Sequence, residues 1–97
     1  MERGLFDITS TGETTLIPIY SRAGSIKSIS ICNYDSLAAS VSVYLEDASS
    51  TKSYIIYDVK IGSKVTLVLN DVSFDNSVLA LKMNVSTASP SLSVIIK

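Results

Sequence analysis

The chain has 97 residues, with 8 basic and 9 acidic side chains and neither histidine nor tryptophan, for a net charge of -1. A chain of that length builds one core and excludes two, and without a basic block it lacks the electrostatic footprint of a nucleic-acid binder. Its single cysteine, Cys32, excludes an internal disulfide, so stability has to come from packing and from partners.

Mean hydropathy is +0.37, yet no apolar run approaches the roughly 20 residues of a membrane-spanning helix. The opening segment MERGLFDITS carries Glu2 and Asp7 and no apolar stretch of signal-peptide length, so synthesis in the cytosol without an export signal is expected. Serine and threonine together occupy roughly a quarter of the positions, well above ordinary usage. Strand faces carrying them in place of Lys and Glu are weakly hydrated, which suits either a protein-packing surface or a serine-rich solvated one.

Residues 1–12, with Leu5-Phe6 among polar residues and glycines, read as an arm or a short edge strand ahead of a domain spanning 13–97. Six segments then alternate apolar and small polar residues at or near period two: ETTLIPI, SIKSISICN, ASVSVYLED, SKVTLVLND, SVLALKMNV and SLSVIIK, with KSYIIYDVKI as a further strand-like run. Alternation puts one side-chain set on a buried face and the other toward solvent. In the first strand, Glu13 to Ile19, Pro18 predicts an edge or a bend. Ser21-Arg22-Ala23-Gly24 reads as a turn. In Ser25 to Asn33, Ile29 and Ile31 share a face while Ile26 is out of phase, so a bulge is expected near Lys27–Ser28. Asn33 to Ser36 has turn chemistry.

Val41, Val43 and Leu45 are expected inside the next strand, with Ser40, Ser42 and Tyr44 outside. After a polar loop from Asp47 to Thr51, Tyr54-Ile55-Ile56-Tyr57 carries apolar groups at both parities, as a central or covered strand does. Ile61-Gly62-Ser63 turns the chain into Lys64 to Asn70, with Val65, Leu67 and Leu69 inward. Asp71 to Asn76 reads as a loop in which Phe74 plugs one end of the core. Leu79, Leu81, Met83 and Val85 alternate with Ala80, Lys82 and Asn84, and a loop from Thr87 to Pro90 leads into the last strand, Ser91 to Ile96. Seven or eight strands with turn signals every 8–12 residues or so predict an all-β fold, a single two-sheet antiparallel β-sandwich of Ig-like or jelly-roll type.

Catalytic constellations are missing from these strands. Histidine, the usual base beside a nucleophile, is absent. Cys32 lies on the opposite phase from Ile29 and Ile31 and reads as a small, partly exposed residue in a sheet. Glu46–Asp47 and the pair Asp71, Asp75 fall at strand ends, where acids could serve acid–base chemistry or calcium. Their spacing matches no calcium loop and is that of ordinary turns. With no glycine-rich phosphate loop and no metal-ligand cluster, no cofactor and no metal are expected. Asn84-Val85-Ser86 fits a glycosylation sequon, one that a chain without export never presents to the modifying machinery.

The tyrosines are more informative. Tyr34 falls in a loop, Tyr44 stands beside serines on the outward phase, and alternation sends one of Tyr54 and Tyr57 out. Exposed tyrosine offers rigid area with a polar tip to a partner. The same side chains could stack on sugar rings or cover the ends of a small core. Together with the apolar pair near the N-terminus, the expected partner contacts are Leu5, Phe6, Tyr44 and Tyr57.

From Pro18 onward a strand ending at Ile19-Tyr20 meets a turn with Ala23-Gly24. SIKSISICN and ASVSVYLED follow, then a glycine-led aliphatic strand from Gly62 to Leu69 and a terminal one from Leu92 to Ile96. This order, over residues 14–96, resembles small structural proteins of tailed-bacteriophage virions. The resemblance implies a non-enzymatic β-sandwich, made in the host cytoplasm and built into the virion, where it binds other virion proteins. Within that group a capsid decoration (cement) protein on the shell of the major capsid protein is the favoured expectation, with self-association, for example as a trimer, and no nucleic-acid or membrane partner. The alternatives are a tail, neck or fibre-attachment protein of the same fold and, from another class, a carbohydrate-binding module.

Overall fold

The computed structural model describes residues 4–19 and 25–97, and the turn expected at Ser21 to Gly24 lies outside them. Among the described residues eight strands form: β1 (Gly4–Ile8), β2 (Gly12–Ile17), β3 (Ser25–Asn33), β4 (Ala39–Asp47), β5 (Lys52–Ile61), β6 (Thr66–Ser73), β7 (Leu79–Val85) and β8 (Leu92–Ile96). They pair antiparallel in two four-stranded sheets, sheet A in the order β1-β8-β3-β6 and sheet B in the order β2-β7-β4-β5. The protein is therefore an all-β, two-sheet antiparallel sandwich, and the strand order is that of a jelly roll. Strand β4 pairs with β5, β3 with β6, β2 with β7 and β1 with β8, as in one long hairpin rolled into two layers. The N-terminal segment resolves as the edge strand of sheet A, with Gly4–Ile8 paired along Leu92–Ile96.

Alternation sets the core. Ile29 and Ile31 of β3, Leu92 and Val94 of β8, Val41 and Val43 of β4, and Leu81, Met83 and Val85 of β7 are fully buried between the sheets. The change of phase in β3 falls where Ile26 demands it. The amides of Lys27 and Ser28 both donate to the carbonyl of Lys97, at 2.9 and 3.4 Å, two residues against one. On the other neighbour, β6, Asp71 takes a positive φ of 57° at the matching level, so the β3–β6 register continues unbroken and Ile26 is buried opposite Val72.

Three sequence expectations are corrected. Tyr54 to Tyr57 belongs to an edge strand of sheet B, and Tyr54, Ile55 and Tyr57 are all exposed, because its apolar groups at both parities come from irregular pairing and not from cover on two sides. Val65 is half exposed, since it sits in the turn before β6 with its amide bonded to Gly62, while Leu67 and Leu69 do pack on the core. The loop expected from Asp71 begins later. Val72 and Ser73 still pair with Ile26 and Ser25, and only then does Phe74 fold against the core.

Two buried asparagines pin the ends of the sandwich. The Asn33 side-chain amide donates to the carbonyls of Leu37 (2.9 Å), Ile61 (3.0 Å) and Gly62 (3.2 Å), and its oxygen accepts from the amide of Asp35 at 3.1 Å. One side chain thus ties the β3–β4 loop to the β5–β6 turn, across the two sheets. At the opposite end the Asn76 amide donates to the carbonyls of Pro18 and Leu79. Replacing Asn33 by Ala leaves buried carbonyls without a donor, so N33A is expected to lower unfolding free energy by about 2–3 kcal/mol. Exposed Ser36→Ala should change it by under about 0.5 kcal/mol in the same urea titration.

Candidate functional site

Antiparallel register arranges the outer face of sheet B in rows. Glu13, Asn84 and Ser42 lie level across β2, β7 and β4. Thr15, Lys82, Tyr44 and Tyr54 form the next row, and Ala80, Glu46 and Lys52 the third. Charges connect the rows diagonally. Lys82 donates to the carboxylate of Glu46, and its Nζ lies 3.5 Å from Oε1 of Glu13. The hydroxyl of Tyr44 donates to the other oxygen of Glu13. Lys52 Nζ stands 5.1 Å from the centre of the Tyr44 ring, within cation–π range.

This cover explains a correction. Tyr44 does point to the outer face, but it is only 1% exposed, because the Tyr54 ring (5.4 Å between centroids, 58° between planes), Lys52 and Glu13 close over it. A tyrosine placed among serines on a strand reads as exposed, yet the side chains that cover it here come from two other strands, β2 and β5. Tyr44 is therefore removed from the expected partner contacts and becomes the floor of the site.

The walls depend on two irregularities in β5. Val43 pairs with Ile56 and Tyr44 with Tyr54, which leaves Ile55 inserted between them. Further along, Tyr57 and Asp58 together oppose Ser42, Asp58 at a φ of 49° with its amide donating to Ser42 Oγ at 2.7 Å. The insertion at Ile55 shifts the phase by one residue. Tyr54 and Tyr57, three apart and expected on opposite faces, both project outward, their rings edge to face with centroids 4.8 Å apart. Between these rings and the Glu13–Asn84 side lies a groove of about 640 Å³.

Electrostatics follow the contacts. Burial, and then the hydrogen bond to Glu13, holds the Tyr44 phenol far above the ordinary tyrosine range. The same bond from Tyr44, aided by Lys82, holds Glu13 below the usual glutamate value against partial desolvation. Lys82 is raised by its bond to Glu46. The two carboxylates thus serve as acceptors inside a neutralised network. Asp47 and Asp75, the strand-end acids, accept from the amides of Ser49 and Thr51 and from Ser77 respectively, as turn residues do. Among the described residues no group of three or more His, Cys, Asp or Glu could hold a metal ion. Cys32 is partly exposed on the outer face of sheet A.

The other expected contacts lie elsewhere. On sheet A, Leu5, Ile95, Ser30 and Val68 form one outer row, Asp7, Ser93, Cys32 and Thr66 a second, with Ser28 and Asn70 beyond. Asp7 accepts from the hydroxyl of Tyr34 at 2.7 Å, and exposed Lys97 pairs through its backbone with Ser28 beside the last row. Leu5 is largely exposed, but Phe6 pairs with Val94 and packs against the core, because successive residues of β1 alternate faces. Sequence reasoning therefore set together four residues that the fold divides: Leu5 outside sheet A, Tyr57 outside sheet B, Phe6 and Tyr44 covered. It missed Tyr54 and Asn84, whose part in the groove arises from an inserted residue and from cross-strand register.

These features define a small jelly-roll domain with an aromatic, hydrogen-bonding groove on one sheet and rows of mostly small uncharged side chains on the outer face of the other. No protein-family model matches the chain, and no curated protein matches it. Among solved structures it is similar to the Anabaena sensory rhodopsin transducer, with a TM-score of 0.48 and 12% identity over 100% of this chain and 96% of that one.

Two outcomes follow from the network. An unfolded tyrosine ionises near pH 10, whereas Tyr44 keeps its proton when folded, so the folded state binds the extra proton and stability from this group falls as pH rises through about 10. The stability margin of the native protein over Tyr44→Phe should therefore shrink between pH 8 and 11 or so in urea titrations. Lys82→Met strands the buried Glu46 carboxylate and should cost about 2 kcal/mol, much of it recovered in the Lys82→Met, Glu46→Gln double variant, as a double-mutant cycle would measure.

Proposed function

We propose that this chain is a non-enzymatic structural protein of a tailed-phage virion, a capsid decoration protein that stabilises the shell by binding the major capsid protein. The observation that carries this reading is the outer face of sheet A. Its rows present Leu5, Val68 and Ile95 among serines, Thr66, Cys32 and Asn70, with Asp7 at one end and Lys97 beside Ser28 at the other. Depletion of charge is what marks the centre of a protein–protein interface, and a surface of small side chains loses little hydration when covered. The sequence resemblance over residues 14–96 points the same way, and the jelly-roll order is one that viral capsid domains use, an argument by analogy of fold.

The mechanism is linkage. Each copy buries a modest area across neighbouring subunits of an assembled shell and has no such surface to bind on free subunits. Binding therefore adds to the stability of the assembled state in proportion to occupancy. A domain without disulfides also gains buried area by self-association, and we read it as a homo-oligomer, with a trimer as one closed form.

Incubation of the purified protein with undecorated phage heads tests this directly. Co-sedimentation, with heads that withstand a higher temperature when occupied, is the expected result. Val68→Lys with Thr66→Lys, both exposed on edge strand β6, should weaken co-sedimentation about tenfold or more, while Tyr57→Ala leaves it unchanged. Absence of binding together with equal heat resistance of heads lacking the protein overturns the proposal. A few copies per virion by quantitative mass spectrometry, in place of many, would move the protein to the tail or neck.

A further inference from the structure

The groove on sheet B takes no part in docking through sheet A, and its chemistry is of another kind. Tyr54 and Tyr57 are 48% and 68% exposed, whereas a tyrosine that merely covers the core is buried as Tyr44 is. Bringing both to the same side requires the inserted residue at Ile55, and strand bulges recur where a side chain has to be re-aimed. An inserted residue spent on exposing two aromatic rings side by side suits a surface that stacks against something.

The polar groups around the rings narrow the choice of occupant. Glu13 and Asp58 offer carboxylate acceptors, Asn84 an amide that both donates and accepts, and Lys52 a donor. With Lys82 already tied to Glu13, Lys52 against Asp58 leaves no positive excess to attract a phosphate or another strong anion. The same groups interrupt any continuous apolar floor, which disfavours a lipid chain or an apolar helix. A molecule with a flat C–H face and an edge of hydroxyls that donate and accept in turn satisfies both halves of the groove. The volume of about 640 Å³ is in the range of small-ligand sites, roughly 300–1,000 Å³.

The geometry points to a binding site for a neutral carbohydrate, with sugar rings resting on Tyr57 and Tyr54 and hydroxyls bonded to Glu13, Asp58 and Asn84. The site is independent of the virion reading, because the two use opposite sheets. It places ligand capture on the face left free when sheet A is covered.

The test is titration of the full chain with neutral trisaccharides of glucose, galactose and N-acetylglucosamine, followed by NMR amide shifts and calorimetry. At least one is expected to bind in the millimolar range or tighter, with shifts confined to β2, β4, β5 and β7. Tyr57→Ala, at an exposed position that leaves the core intact, should weaken binding about tenfold, the equivalent of one stacking contact. Tyr57→Phe should retain most of it, and Val68→Lys on sheet A should not alter it. The proposal is overturned if no trisaccharide shifts any amide at millimolar concentration. Shifts that map to sheet A, or binding that Tyr57→Ala leaves untouched, overturn it as well.

Discussion

Asp47 turns the chain back on itself. Its amide donates to the carbonyl of Thr51, its own carbonyl accepts from Ser50, and its carboxylate accepts from the amides of Ser49 and Thr51, with Ser50 in the left-handed region at a φ of 66°. From this closure outward β4 meets β5, β3 meets β6, β2 meets β7 and β1 meets β8. Each inner pair brings the next two strands nearer and shortens the loop still to be closed. In a chain with no disulfide the nesting has to be held by register alone. A slip of one residue in any pair would turn its apolar set to solvent, so the alternation that builds the core also guards the order of the strands. Asn33 and Asn76 fasten the two ends where the chain crosses between sheets.

Strand β5 is where regularity gives way. As an edge strand of ten residues it would offer a long row of unpaired backbone groups to a neighbour. Its two irregularities break that row while re-aiming side chains, and the second anchors Asp58 to Ser42. The same departure from ideal pairing therefore blunts an aggregation-prone edge and assembles the tyrosine wall. Its dependence on Tyr44 is direct. The buried phenol, bonded to Glu13 and covered by Tyr54, supplies a rigid floor, and Lys82 bridges Glu13 and Glu46.

The two outer faces consequently differ in kind. Sheet A spreads mostly small uncharged side chains and a few aliphatics, while sheet B gathers charges and tyrosines around its groove. A protein surface and a small polar ligand make opposite demands. The first rewards area that is cheap to dehydrate, and the second rewards a few directed hydrogen bonds beside an apolar plate. One jelly roll separates these demands by putting them on opposite layers.

Much of this was legible in residue order. Period-two alternation located the strands and most inward residues, the out-of-phase Ile26 announced the bulge at Lys27–Ser28, and Asn and Asp marked the turns. Each of these signals is local: it needs only a residue and its near neighbours in the chain. The edge position of β5, the burial of Tyr44 and the shared face of Tyr54 and Tyr57 were not legible. They depend on which strand lies alongside and on an insertion counted against a partner more than ten residues away, as Ile55 is counted against Val43 and Tyr44. The sequence by itself determined an all-β chain and which side chains would seek the core, because burial follows from alternation alone. Only the tertiary structure decided for a jelly roll, divided the expected contacts between two faces and made a groove of the tyrosines, because cross-strand register sets which distant side chains meet.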